Sequence, residues 1–178
     1  KFLKFYQDTT LQTLIAAVES EYANTEDIDQ QLSTAFSRLK QALPRIEVPK
    51  VYAQISALDQ SIIVGNGAIG VSLDKYLGAN YPLYIKYYSP SQRKQMTREY
   101  ILPDCLTFYL MSIYPLDHFD SRPQLERDLQ IGKIQWIVNQ VISKRIYRNK
   151  YEDAVDVYMK RNPNISYETL LRMTDFAA

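Results

Sequence analysis

Four of the chain's five glycines, Gly65, Gly67, Gly70 and Gly78, fall between positions 65 and 78 of 178. Glycine tolerates backbone conformations that other residues resist, so this concentration marks a stretch that must turn tightly. Around it lie short runs rich in β-branched residues, at 51–56, 61–64 and 68–73, separated by turn signals at Leu58 and Asp59 and at Gly65, Asn66 and Gly67. Asn-Gly is the strongest short-range hairpin signal a sequence offers. The runs predict about three strands in a small antiparallel sheet, which needs helices packed on it to be stable.

On both sides of this stretch the period is helical. Thr9 or Thr10 caps a helix reaching Tyr22, with Leu11, Leu14, Ile15 and Val18 on one face. A second helix over 27–43 carries Ile28, Leu32, Ala35, Phe36 and Leu39 and is stopped by Pro44, so that 8–43 forms a helical hairpin. After Gly78 come an aromatic helical turn over 81–88, a helix capped by Ser91 and running to about Leu102, and a helix over 104–114 with Pro103 at its start. Ser121 caps a helix over 123–142, another spans 151–161, and a last one begins at Ser166, so the helices after the sheet cover 81–173. The expected fold class is α+β, a mostly helical domain with a small sheet. A length of 178 residues with 46% hydrophobic and 23% charged side chains suits one domain over 1–178.

Composition and spacing remove several function classes. Lys and Arg number 21 against 20 Asp and Glu, so no net field draws a polyanion and no nucleic-acid partner is expected. The basic cluster KRIYRNK at 144–150 reads as a solvated helix end or loop. Cys105 is the only cysteine, which excludes an intrachain disulfide and a thiolate metal cluster and leaves a buried, inert thiol. No apolar run reaches spanning length, and the chain begins at Lys1 without a signal-like segment, so membrane attachment is expected only through a removed N-terminal lipid anchor. His118 is the only histidine, whereas an HExxH zinc site needs two imidazoles one helical turn apart. No GxSxG elbow accompanies it, and GNGAIG lacks the lysine and spacing of a P-loop.

Two constellations stay open. The carboxylates Asp104, Asp117, Asp120, Glu126 and Asp128 contain no pair that spacing singles out for acid–base work. Tyr76, Tyr81, Tyr84, Tyr87 and Tyr88 form a cluster of amphipathic rings that suits a core rim, a protein interface or a glycan platform.

A chain of blocks carries a resemblance. AFSRLKQALP (35–44), VPKVYAQIS (48–56), IGVSLDKYLGANYPLY (69–84), QRKQMTREYILPDCL (92–106) and YMKRNPNISYETLLRMTDF (158–176) follow one another as they do in the gliding-motility lipoprotein B (GldB) family of Bacteroidetes, with LDKYLG the most specific. That family is itself similar to zinc peptidases of the zincin type, and the resemblance implies a zincin-like fold. It places the HExxH stretch on Pro103-Asp104-Cys105-Leu106-Thr107, so that both zinc-binding positions are non-ligands and Asp104 is the remnant of the general base. The third ligand position falls on Ile131, ahead of Gly132 and Lys133. The resemblance therefore implies a non-catalytic lipoprotein domain of the cell envelope, in the periplasm or on the outer membrane, holding no metal or cofactor and acting through contact with an envelope protein. The interaction face is expected around Asp74, Lys75, Tyr76, Gly78 and Tyr81. The alternatives are a hydrolase using Asp104 with Glu99 or His118, or with a carboxylate-held metal, and a glycan-binding module built on the tyrosine cluster.

Overall fold

A computed structural model describes residues 9–174. The chain groups into two compact units, one of Lys1–Leu32 with Pro49–Cys105 and one of Ser33–Val48 with Leu106–Ala178.

The first unit holds helix α1 (Thr9–Glu21), the start of α2 (Glu26–Ala42) and three strands, β1 (Lys50–Gln54), β2 (Ile62–Gly65) and β3 (Ala68–Ser72). After a 3-10 turn at Leu73–Lys75 come α3 (Pro82–Tyr87), α4 (Pro90–Arg93) and the beginning of α5 (Ile101–Ile113). α1 turns Leu11, Leu14 and Val18 inward, at the spacing of one helical face, and packs on the turn that follows β3. The mostly helical α+β class and the three strands agree with the sequence.

The pairing of the strands differs from an antiparallel sheet. The order is β1-β3-β2, with β2 and β3 antiparallel and β1 and β3 parallel. Strand β3 carries the buried Ile69 and Val71 and takes the centre, where a strand buries most apolar surface. Residues 55–61 carry the chain from β1 to the far edge and leave the middle slot for β3, which forces the parallel pairing. The β2–β3 hairpin closes at Asn66 and Gly67, and Gly67 takes φ +70°, as that turn requires.

Helix boundaries agree with the sequence apart from two caps, one start and one end. The cap expected at Ser91 lies at Ser89, whose hydroxyl accepts from the Gln92 N–H at 3.3 Å while the Gln92 side chain accepts from the Ser89 N–H at 2.9 Å. The helix it opens is only α4, because the chain then turns at Met96, whose carbonyl accepts from the Gly78 N–H. α5 starts at Ile101 and places Pro103 in its first turn. Ser121 does not cap the following helix: its hydroxyl closes a 3-10 turn onto the His118 carbonyl, and α6 begins after Pro123. Residue 8, the first of the expected hairpin, lies outside the described residues.

The second unit contains the rest of α2 and α5, with α6 (Gln124–Ile142), α7 (Lys150–Arg161) and α8 (Tyr167–Arg172). α6 packs on α7 and α8, and nothing but hydrogen fits at Gly132, where a Cβ would lie 2.8 Å from the Tyr151 Cβ. The buried Asn139 side chain holds the α6–α7 loop: it accepts from the Ile146 and Tyr147 N–H groups and donates to the Tyr147 carbonyl and the Glu152 carboxylate. Phe36 meets Tyr109 edge to face at 5.5 Å, and Trp136 meets Tyr167 likewise. Among the described residues no helix is long and apolar enough to cross a membrane.

Candidate functional site

The LDKYLG block folds into the 3-10 turn that leaves β3 and brings Asp74, Lys75, Tyr76, Gly78 and Tyr81 together. Asp74 and Tyr76 point inward; Lys75, Gly78 and Tyr81 are half-buried. The fully buried Asp74 carboxylate accepts from the Ser56 N–H at 3.0 Å and from the Leu58 N–H at 2.7 Å. Both donors belong to the loop in which Ala57 and Leu58 take positive φ, +55° and +67°, a region unfavourable to residues with a Cβ. Lys75 completes the grip: its ammonium donates to the Leu58 carbonyl at 3.1 Å and to the Tyr88 hydroxyl at 3.0 Å. Tyr88 in turn donates to the same carbonyl at 3.1 Å. The Leu58 residue is thus held at both of its backbone polar groups.

The tyrosines extend this clamp. The Tyr22 hydroxyl donates to the Tyr76 carbonyl at 2.6 Å, and the Tyr84 hydroxyl donates to the Asp74 carbonyl and accepts from the Leu77 N–H. The Tyr76 hydroxyl donates to Asp104 Oδ2 at 2.8 Å, and burial together with the neighbouring carboxylate pushes its ionisation far above the ordinary phenol range. Gly78 adopts φ +106°, which explains a glycine there. Tyr81 and Tyr88 meet Tyr84 edge to face, at interplanar angles of 70° and 88°, so these rings offer no coplanar stacking platform; only Tyr87 of the cluster is exposed.

The remaining candidates are scattered. Glu99 is exposed and lines a cleft of about 290 Å³ with Asp27, Gln31 and Arg98, whose lining does not include Asp104. His118 is exposed in the second unit at φ +56°, Asp117 and Asp120 are exposed beside it, Glu126 pairs with Arg122 at 3.1 Å, and Asp128 accepts from Gln124. Cys105 is fully buried, and burial pushes its thiol up to about 12. Ile131 is half-buried, and the buried Lys133 donates to Gln130 Oε1 at 3.1 Å and to the Met173 carbonyl at 2.6 Å. Among the described residues no three His, Cys, Asp or Glu side chains gather into a metal-holding group. In the 144–150 cluster, Arg145 is tied to Glu152 at 2.5 Å.

The sheet carries a surface that sequence reasoning missed. Tyr52 and Ile63 both lie in register with Gly70, one on each side, and are 57% and 43% exposed, while Ile69 and Val71 on either side of Gly70 are buried. The Gln54 amide lies over Gly70, where a Cβ would come within 2.8 Å of Oε1, and donates to the Ser72 hydroxyl at 3.1 Å. Among the described residues no strand pairs with the outer edge of β1. The alternation of β3 marked this face, but nothing local told which side stays open.

Residues 1–150 match the family model described as gliding motility protein GldB. The chain belongs to the GldB family. Membership makes it a relative of gliding-motility lipoproteins of the cell envelope. The LDKYLG block and its clamp lie within the match, and the similar block at 158–176 lies beyond it. No curated protein and no solved structure matches the chain.

Proposed function

We propose that this GldB-family domain is non-catalytic and works in the cell envelope by holding another envelope protein at the open face of its sheet. It does so on a scaffold descended from zincin-type peptidases that no longer handles a metal. The observation that carries the reading is the row Tyr52–Gly70–Ile63, two exposed hydrophobic side chains flanking a glycine beside a strand edge that no described strand pairs with. An exposed aromatic ring across the sheet from an exposed aliphatic side chain is the kind of feature around which interface energy concentrates, and the outer edge of β1, with which no described strand pairs, adds backbone donors and acceptors for an extended segment. The buried Asp74 and its neighbour Lys75 support the loop beside this sheet, which gives the most specific motif a structural task. At the position corresponding to the general base, Asp104 receives the Tyr76 hydroxyl, a packing role.

Photo-crosslinking tests the reading. Benzoylphenylalanine at position 52 or 63 is expected to give one discrete adduct in envelope fractions, and none from Val157, an exposed position in the second unit. Tyr52→Ser and Ile63→Ser are expected to abolish capture by the parent domain's partner without shifting the melting temperature. Equal adducts from all three positions, or none from the sheet, would refute it.

A further inference from the structure

A second surface in the first unit has a different chemistry. From Lys75 to Arg98 the chain carries five cations, Lys75, Lys86, Arg93, Lys94 and Arg98, and no carboxylate, in a molecule whose net charge is +1. Three of them are committed: Lys75 to the Leu58 carbonyl, Arg93 to the Ala79 carbonyl at 2.9 Å and Arg98 to Asp27. Lys86 and Lys94 are exposed, and with them Ile85 and Tyr87, at 56% and 63%. Tyr84 faces inward and is fully buried, so the 3.6-residue period sets Pro82 and Lys86 on the outer side of α3, with Ile85 on one flank and Tyr87 on the other. The Lys86 ammonium lies 5.1 Å from the Tyr87 ring centre.

We propose that the outer side of α3, with Lys94 following it, docks on the anionic headgroup surface of a lipid bilayer. The side-chain types divide as such a boundary requires. Ile85 enters the edge of the acyl region, Tyr87 sits with its ring at headgroup level, and the two lysines extend to lipid phosphates. A soluble polyanion would use the lysines and leave Ile85 and Tyr87 in water. Kinship to envelope lipoproteins puts a bilayer within reach of the domain. The contact uses none of the sheet residues assigned to protein capture, so either reading can fail alone.

Flotation of the 178-residue chain with lipid vesicles tests it. The chain is expected to float with phosphatidylcholine vesicles containing about a third phosphatidylglycerol, not with pure phosphatidylcholine, and to detach as salt rises. Lys86→Glu with Lys94→Glu lowers the partition coefficient by at least about tenfold, since each basic residue near an anionic surface contributes roughly fivefold. Ile85→Ser with Tyr87→Ser lowers it while leaving the charge intact. The charge-matched pair Arg148→Glu with Lys150→Glu, and Tyr52→Ser with Ile63→Ser, leave it unchanged. All eight positions are at the surface, and a parental thermal transition is required of each variant. No flotation with anionic vesicles, equal loss in the charge-matched pair, or equally tight binding to soluble polyglutamate without vesicle binding would overturn the proposal.

Discussion

Replacing Asp74 tests whether the most specific motif of the chain is an internal clamp. Its carboxylate is fully buried and accepts two backbone N–H groups, from Ser56 at 3.0 Å and Leu58 at 2.7 Å. Hydrogen bonds to a charged acceptor contribute about 1.5–3 kcal/mol each, and an alanine would leave both donors without this acceptor. Asp74→Ala is therefore expected to lose about 3–5 kcal/mol, a third or more of the stability of an average domain. Asp74→Asn keeps one acceptor oxygen and sets an NH₂ against the other donor, so its loss is expected to be about half as large. Urea denaturation followed by circular dichroism measures the loss, and amide exchange locates it at Ser56 and Leu58. A loss below about 0.5 kcal/mol in the alanine variant, or unchanged exchange at those two amides, would refute the clamp. The same loop supplies the complement. Ala57 sits at φ +55° with an exposed side chain, so Ala57→Gly removes about 1 kcal/mol of left-handed strain, partly offset by the entropy of the unfolded chain. A stabilisation of about 0.5 kcal/mol is expected, and a clear destabilisation would show that the loop is not held in this conformation.

Gly132→Ala is expected to destabilise by about 1–2 kcal/mol, because the Tyr151 backbone stands 3.0 Å from the new methyl and overpacking outweighs the gain in helix propensity; a rise in urea midpoint would contradict the close approach of α6 and α7. Cys105 is expected to resist iodoacetamide at pH 8 until the protein unfolds, since burial holds its thiol neutral up to about 12. The sign follows: the folded value lies above the ordinary thiol value of about 8.5, so its contribution is complete below that pH and is lost as pH rises towards about 12. Cys105→Ser should flatten this alkaline decline, and an identical decline in the variant would assign it elsewhere.

Local features of the fold were legible and non-local ones were not. Leu11, Leu14 and Val18 announce the buried side of α1 by spacing alone, and Asn66 with Gly67 announces the β2–β3 turn. The parallel pairing of β1 was hidden, because a strand's own residues do not reveal which neighbour it joins across an intervening loop. Asp74 and Lys75 were expected on an interaction face, since charged residues usually stay at the surface, and their partners at 56 and 58 lie too far along the chain for any spacing rule to connect them. Gly132, in contrast, did leave a signal. A glycine in the interior of a long helical pattern costs about 1 kcal/mol in propensity and calls for a packing reason. Tyr52 and Ile63 alternate as half-buried strand residues should, but which side of the sheet the helices cover is a property of the whole unit.

The central claim, that this fold acts by contact and not by metal-assisted hydrolysis, is tested most directly by zinc content. A zinc site needs three or four converging ligands, and among the described residues no three His, Cys, Asp or Glu side chains gather. After incubation with zinc and desalting, mass spectrometry of the purified chain is predicted to find well under one zinc per molecule. Near-stoichiometric zinc, lost on replacing Asp104 or His118, would contradict the account and restore a hydrolytic site.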